Sequence, residues 1–167
     1  ISRLRRRLML NAGVGGSTLA EQTVTSVAAI NAWPNAIFVH WDGDDNGFNA
    51  DIAVDLANYA TIVGALTHSR FVIVSPMPRG GQSSDQRQRC RDLYTALAAA
   101  YPGHVVDPLP IVLTLADPVA DAADIAANQC PSSLMQDGVH LVQNAMDLVA
   151  TAGVLPIIDA GGWMPAE

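Results

Sequence analysis

Ala36-Ile37-Phe38-Val39-His40-Trp41 is an unbroken apolar run rich in β-branched and aromatic residues, and it opens directly into a loop of carboxylates and amides, Asp42-Gly43-Asp44-Asp45-Asn46-Gly47. A short run without polar alternation predicts a strand buried on both faces. Such strands belong to parallel sheets, whose crossovers are usually helices. The flanks have that form. Upstream, Thr18 to Ile30 has the small and apolar positions of a helix, ended near Trp33-Pro34 because the residue before proline avoids helical geometry. Downstream, Ile52, Leu56, Tyr59, Val63 and Leu66 recur at helical spacing between Asp51 and Leu66. Phe71 to Val74 is a second buried strand, stopped by Pro76, Pro78 and the pair Gly80-Gly81. Cys90, Leu93, Tyr94 and Leu97 form one stripe of a helix from about Asp85 to Ala100, and Val105-Val106 is a short strand ending in Asp107-Pro108.

Strands alternating with helices predict right-handed βαβ crossovers and a mainly parallel sheet covered on both faces. At the amino end, Ile1 to Leu8 suits a helix, and the run Leu8 to Leu10 reads as a strand entering the glycine-rich turn between Asn11 and Thr18. Ile111 to Ser133 is rich in alanine and aspartate and shows no clean period; a last helix, roughly Val142 to Ala152, follows it. Neither a repeat nor an interdomain linker is visible. Residues 1–158 read as one domain and residues 159–167 as a tail or linker.

Composition narrows the classes. With 167 residues, half of them hydrophobic and 15% charged, the chain suits one globular domain rather than a disordered or coiled-coil one. Nine Arg, no Lys and sixteen acids give a net charge of −7, which argues against a nucleic-acid partner held by phosphate contacts. No apolar stretch has the roughly 18 residues of a spanning helix, so no membrane span is expected. Cys90 and Cys130 have the spacing of neither a zinc site nor a redox pair. They read as core thiols, or as a disulfide tying the helix at Cys90 to the loop at Cys130.

Chemistry in an open parallel sheet gathers at the carboxyl ends of its strands. Three polar groups stand there: the glycine turn after Leu10, the acidic loop after Trp41, and Ser75-Pro76-Met77-Pro78-Arg79 after Val74. The sharpest signal lies elsewhere, in Asp137-Gly138-Val139-His140-Leu141. A carboxylate three residues ahead of an imidazole can reach its Nδ1 proton, fix the tautomer that leaves Nε2 basic, and stabilise the imidazolium that forms. The alternative for such a pair is a helix cap beside a surface histidine.

The turn Asn11-Ala12-Gly13-Val14-Gly15-Gly16-Ser17-Thr18, the apolar strand into Asp42–Asn46, and Asp137–Leu141 follow one another in an order that resembles the second, third and fifth sequence blocks of the SGNH, or GDSL-type, hydrolase superfamily. That resemblance covers nearly the whole chain. It implies a three-layer α/β/α sandwich with a flavodoxin-like sheet. The implied activity is hydrolysis of carboxylic esters, among them lipids, thioesters and O-acetylated carbohydrates, by a Ser-His-Asp mechanism without metal or cofactor. His140 would be the base and Asp137 its orienting carboxylate. Gly16 matches the glycine whose backbone N–H serves the oxyanion hole, a task that suits a residue with no Cβ in the way.

Two departures from the family's pattern stand out. An ungapped reading from Pro34 puts Asp44 at the family's oxyanion asparagine, where a carboxylate would repel developing negative charge. Asn46, two residues on, supplies the amide that the chemistry needs. The acidic loop also invites a cation-site reading, but no downstream Glu completes a calcium loop, and a solvated turn is preferred. The second departure is the nucleophile, which the family carries in a Gly-Asp-Ser-type turn after its first strand. No such turn stands before Asn11. The serine is therefore expected upstream of Ile1 or from a segment supplying the missing strand, with Ser17 as the fallback. Ser75 reads as a turn residue, His40 as a hydrogen-bonded core histidine, and His68 and His104 as loop residues. A non-catalytic binding or assembly module of the same fold is the alternative function.

Overall fold

The computed structural model describes residues 18–41 and 51–164, without the side chains of residues 22–26. The helix expected at Ile1–Leu8, the strand expected at Leu8–Leu10, the glycine-rich turn and the acidic Asp42–Gly47 segment lie outside the described residues. Thr18 caps α1 (Leu19–Asn31) through a capping box, its hydroxyl accepting from the Glu21 N–H while the Glu21 carboxylate accepts from the Thr18 N–H at 2.7 Å. Strand β1 (Phe38–Trp41) leads across the acidic loop to α2 (Ile52–Ala65), and β2 (Phe71–Val74) leads to α3 (Ser84–Ala100), which opens on a second capping box at Ser83 and Gln86. After β3 (Val105–Val106), Asp107 caps the short α4 (Pro108–Leu113), whose first residue is a proline that has no N–H to leave unsatisfied.

The chain is an α/β protein. Its described strands form one parallel sheet in the order β1-β2-β3, with Phe38 opposite Phe71, Trp41 opposite Val74, and Val74 opposite Val106. Strand β2 is central and buried on both faces. Phe71 and Ile73 pack with Leu19, Val27, Ile30, Tyr59, Ile62, Leu93 and Leu97 from α1, α2 and α3. Val72 and Val74 turn the other way, into a cluster with Leu109, Val112, Ala145, Val149 and Ile158.

Strand β1 differs from its expected burial. Phe38 and His40 are buried, but Val39 is 43% and Trp41 39% exposed. By register these two share a face with Val72 and Val74. The helices on that face pack over β2 and β3, so the second side of β1 is left uncovered among the described residues. The predicted α2 stripe is likewise shifted: Tyr59 is buried as expected, but its deepest companions are Asp55 and Ile62.

The segment without a readable period contains α4, α5 (Ala122–Ala126) and a 3-10 turn at Ser132–Leu134. The last helical rod runs longer than its sequence pattern predicts. It begins as α6 (Gln143–Leu148), passes through a π-helical stretch at Val149–Val154, and ends as α7 (Leu155–Ala160). Pro156 has no N–H to continue an ordinary ladder, and the chain ahead of it is wound wider. Beyond α7, Trp163 stacks at 5.7 Å on His104, which stacks at 4.2 Å on Phe71, so the packed body reaches past residue 158. Cys90 and Cys130 are buried thiols rather than a disulfide. No helix among the described residues is long and apolar enough to cross a membrane.

Gly153 shows how tightly the rod sits on the sheet. A Cβ there would lie 2.6 Å from Cγ1 of Val106 and 2.9 Å from Cδ1 of Ile111. Alanine is the better helix former by about 1 kcal/mol, but overpacking a core contact costs roughly 1–3 kcal/mol. Ile111 can swing its terminal methyl aside, whereas the Val106 methyl is fixed on a buried strand. Gly153→Ala is therefore expected to be net destabilising, seen as a lower urea midpoint with unchanged slope; a higher midpoint would show that the strand yields.

Candidate active site

The loop from Leu134 to Val142 is stapled at its base. Leu134 and Leu141 are buried in the core, Met135 and Leu141 form an antiparallel bridge, the Val142 N–H donates to the Leu134 carbonyl at 2.9 Å, and the Gln136 N–H donates to the His140 carbonyl at 2.7 Å. The tip must then reverse within a few residues, and Gly138 does so at φ +84°, a conformation that side chains with a Cβ resist.

Asp137 organises that tip with both oxygens. Its Oδ1 accepts from the backbone N–H of Val139 at 3.0 Å and of His140 at 2.8 Å. Its Oδ2 stands 2.7 Å from His140 Nδ1. These contacts hold the Asp137 carboxyl well below the usual carboxylate range, the His140 backbone N–H first, its imidazole second and the Val139 N–H third. A carboxylate so fixed selects the His140 tautomer with the proton on Nδ1, which makes Nε2 the basic nitrogen. Asp137 is not a helix cap: α6 begins at Gln143, after Val142. The His140 side chain is 65% exposed and that of Asp137 51%, so the pair faces solvent, where a substrate can reach it.

The loop is tied to the carboxyl end of β2 by a residue to which sequence reasoning gave no role. Arg79 Nη1 donates to the Gly138 carbonyl at 2.9 Å. Arg79 is anchored from both sides, by its own N–H to Gln82 Oε1 at 2.9 Å and by the neighbouring Pro78 carbonyl, which accepts from the Cys130 N–H at 2.7 Å. Its position in the turn after a buried strand was the available signal. Its partner, 59 residues away, had none.

Of the sequence-predicted site residues, Asp137 and His140 are brought together. Gly16, Ser17, Asp44 and Asn46 lie outside the described residues. Ser75 extends β2, its N–H donating to the Val106 carbonyl at 3.0 Å, and is fully buried. Its hydroxyl has no hydrogen-bond partner among the described residues. His40 is buried between Phe38 and Tyr59, and burial holds its imidazole down to about 4. His104 is more than a loop residue: besides stacking on Phe71, its Nδ1 lies 2.9 Å from the Phe71 carbonyl. Cys130 is no nucleophile at neutral pH, because burial and then the charges of Asp124 and Asp121 push its thiol up to about 12. No cluster among the described residues groups three or more His, Cys, Asp or Glu side chains around a possible metal.

Comparison with protein-family models, with curated proteins and with solved structures finds no match for this chain.

Proposed function

We propose that this chain carries the base and oxyanion elements of a serine ester hydrolase of the SGNH type, on a three-layer α/β/α sandwich. The observation that supports the reading is the 2.7 Å contact between Asp137 Oδ2 and His140 Nδ1, made by a carboxylate whose other oxygen is held by two backbone N–H groups. His140 Nε2 takes the proton of a serine hydroxyl as its oxygen attacks the ester carbonyl. The same proton then goes to the leaving alcohol as the C–O bond breaks, and a water deprotonated by His140 releases the acid from the acyl-enzyme. Asp137 orients the ring and stabilises the imidazolium. The oxyanion falls to the Gly16 N–H and the Asn46 amide, with Asp44 the alternative in the ungapped register. The serine is expected upstream of Ile1, and Ser17 is the fallback. Substrates are carboxylic esters of lipid, thioester or O-acetylated carbohydrate type.

One observation favours a second reading. The exposed Val39 and Trp41 on β1 suit a covering segment or partner, as a binding or assembly module would need. A fluorophosphonate probe separates the two. The chain is labelled with and without the sequence its gene encodes ahead of Ile1, nitrophenyl acetate turnover is measured alongside, and the adduct is mapped by mass spectrometry. An adduct on an upstream serine, with turnover, supports the hydrolase; an adduct on Ser17 moves the nucleophile there. No adduct and no turnover in the longer chain would leave the binding module.

A further inference from the structure

We propose that Arg79 is a positioning residue for the Asp137–His140 pair, acting through the single peptide unit between Gly138 and Val139. The inference rests on the reading of that pair as catalytic and extends it to the turn after β2. The carbonyl of this peptide accepts from Arg79 Nη1 at 2.9 Å, and its N–H, on Val139, donates to Asp137 Oδ1 at 3.0 Å. In a trans peptide the C=O and N–H point in opposite directions, and the described backbone contains no cis bond. Fixing the oxygen toward Arg79 therefore aims the N–H at the carboxylate. A guanidinium bond to the carbonyl is charge-assisted, and it polarises the peptide so that its N–H becomes the stronger donor.

The remaining contacts make this coupling directional. Gly138 has φ +84° and, among the described residues, no neighbour within 4 Å of a would-be Cβ, so none of their side chains packs on the tip of the loop on that side. Arg79 itself is held firmly, since Gln82, whose side chain takes the Arg79 N–H, is buried, and the adjoining Pro78 carbonyl is bonded to Cys130. The chain of contacts runs from the end of the central strand through Arg79, the Gly138–Val139 peptide and Asp137 to the imidazole. Without the guanidinium the peptide is free to rotate toward water. Asp137 would then lose one of its two backbone donors, and the ring would lose part of its alignment.

The test reads the pair directly, by NMR on the full chain with no substrate present, so that a silent esterase assay would bear on the proposed function and not on this inference. In Arg79→Ala, the Asp137 carboxyl is expected to titrate at higher pH than in the unchanged protein, and the downfield Nδ1–H resonance of His140 to broaden or vanish. Arg79→Lys, which can still donate one hydrogen bond to the Gly138 carbonyl, is expected to restore most of both signals. Should the alanine variant fail to fold, Arg79→Met, which keeps the aliphatic stem and loses every donor, takes its place with the same expectation. A folded Ala or Met variant whose Asp137 titration and His140 resonance match the unchanged protein would overturn the proposal. So would a Lys variant no better than Met.

Discussion

In a form of the protein that carries the nucleophilic serine, replacing His140 by alanine is expected to lower kcat/KM for a nitrophenyl ester by about 10⁴–10⁶, the range seen when the general base of a serine hydrolase is removed. The loss follows from protonation state. A serine hydroxyl is a poor nucleophile at neutral pH unless a base takes its proton as the new bond forms, and the leaving alcohol departs poorly unless that proton is returned. Asp137→Asn, which keeps the shape but supplies no carboxylate to hold the Nδ1 proton, is expected to cost about 10⁴. Folding should survive the His140 change, because the imidazole is 65% exposed and the two backbone N–H groups that shape the loop still reach Asp137 Oδ1. Unaltered turnover in a folded His140→Ala protein would remove this residue from the mechanism. An equal loss of turnover and of thermal stability would mean that the loop, and not the base, had been damaged.

The part of this site that was legible in the sequence is the part made by neighbours. Asp137 and His140 are three residues apart, so a turn alone brings their side chains together, and a turn can be read from a glycine at the right place. Arg79 acts at a distance set by how the strand ends pack, which no local pattern encodes. The fold divides in the same way. Phe71 to Val74 is apolar on both faces and buried on both faces. Phe38 to Trp41, apolar but for His40, is covered on one side only, because coverage depends on where the helices of other segments lie. The segment from Ile111 to Ser133 offered no period for a physical reason. Past α4, whose Leu109 and Val112 sit in the core, its turns and α5 are held less by an apolar stripe than by carboxylates that capture backbone and side-chain donors. Asp117 Oδ1 accepts from the Val119 and Ala120 N–H groups, Asp121 Oδ2 from the Asp117 N–H and the Ser133 hydroxyl, and Asp124 from Gln129 and from Ser132 twice. Hydrophobic periodicity is silent about such contacts.

The stability of the fold is expected to fall by roughly 3 kcal/mol as the pH is lowered from about 6.5 to about 4, and His40 is the cause. Its imidazole is 4% exposed, on the inner face of β1, with the Tyr59 ring edge-on at 5.4 Å and Phe38 at 5.8 Å. Burial holds it down to about 4, against about 6.5 for an unfolded chain. Between those two values the unfolded state takes up a proton that the folded state refuses, so acid favours unfolding throughout the window. Above about 6.5 neither state is protonated there, and the contribution is flat. Among the described residues, the other shifted groups act outside this range or weakly within it. Asp117, Asp124 and Asp137 have lowered values, so their stabilising contributions are lost only at more acid pH. Asp107, raised by burial, opposes the trend near the acid end, and the more exposed His68 adds to it with the same sign as His40. Urea unfolding at several pH values between about 7 and 4 measures the slope directly. His40→Phe keeps an aromatic ring against Tyr59 and has nothing to titrate, so its stability profile should be nearly level where that of the unchanged protein falls. Parallel profiles for the two proteins would show that the buried imidazole is not what acid attacks.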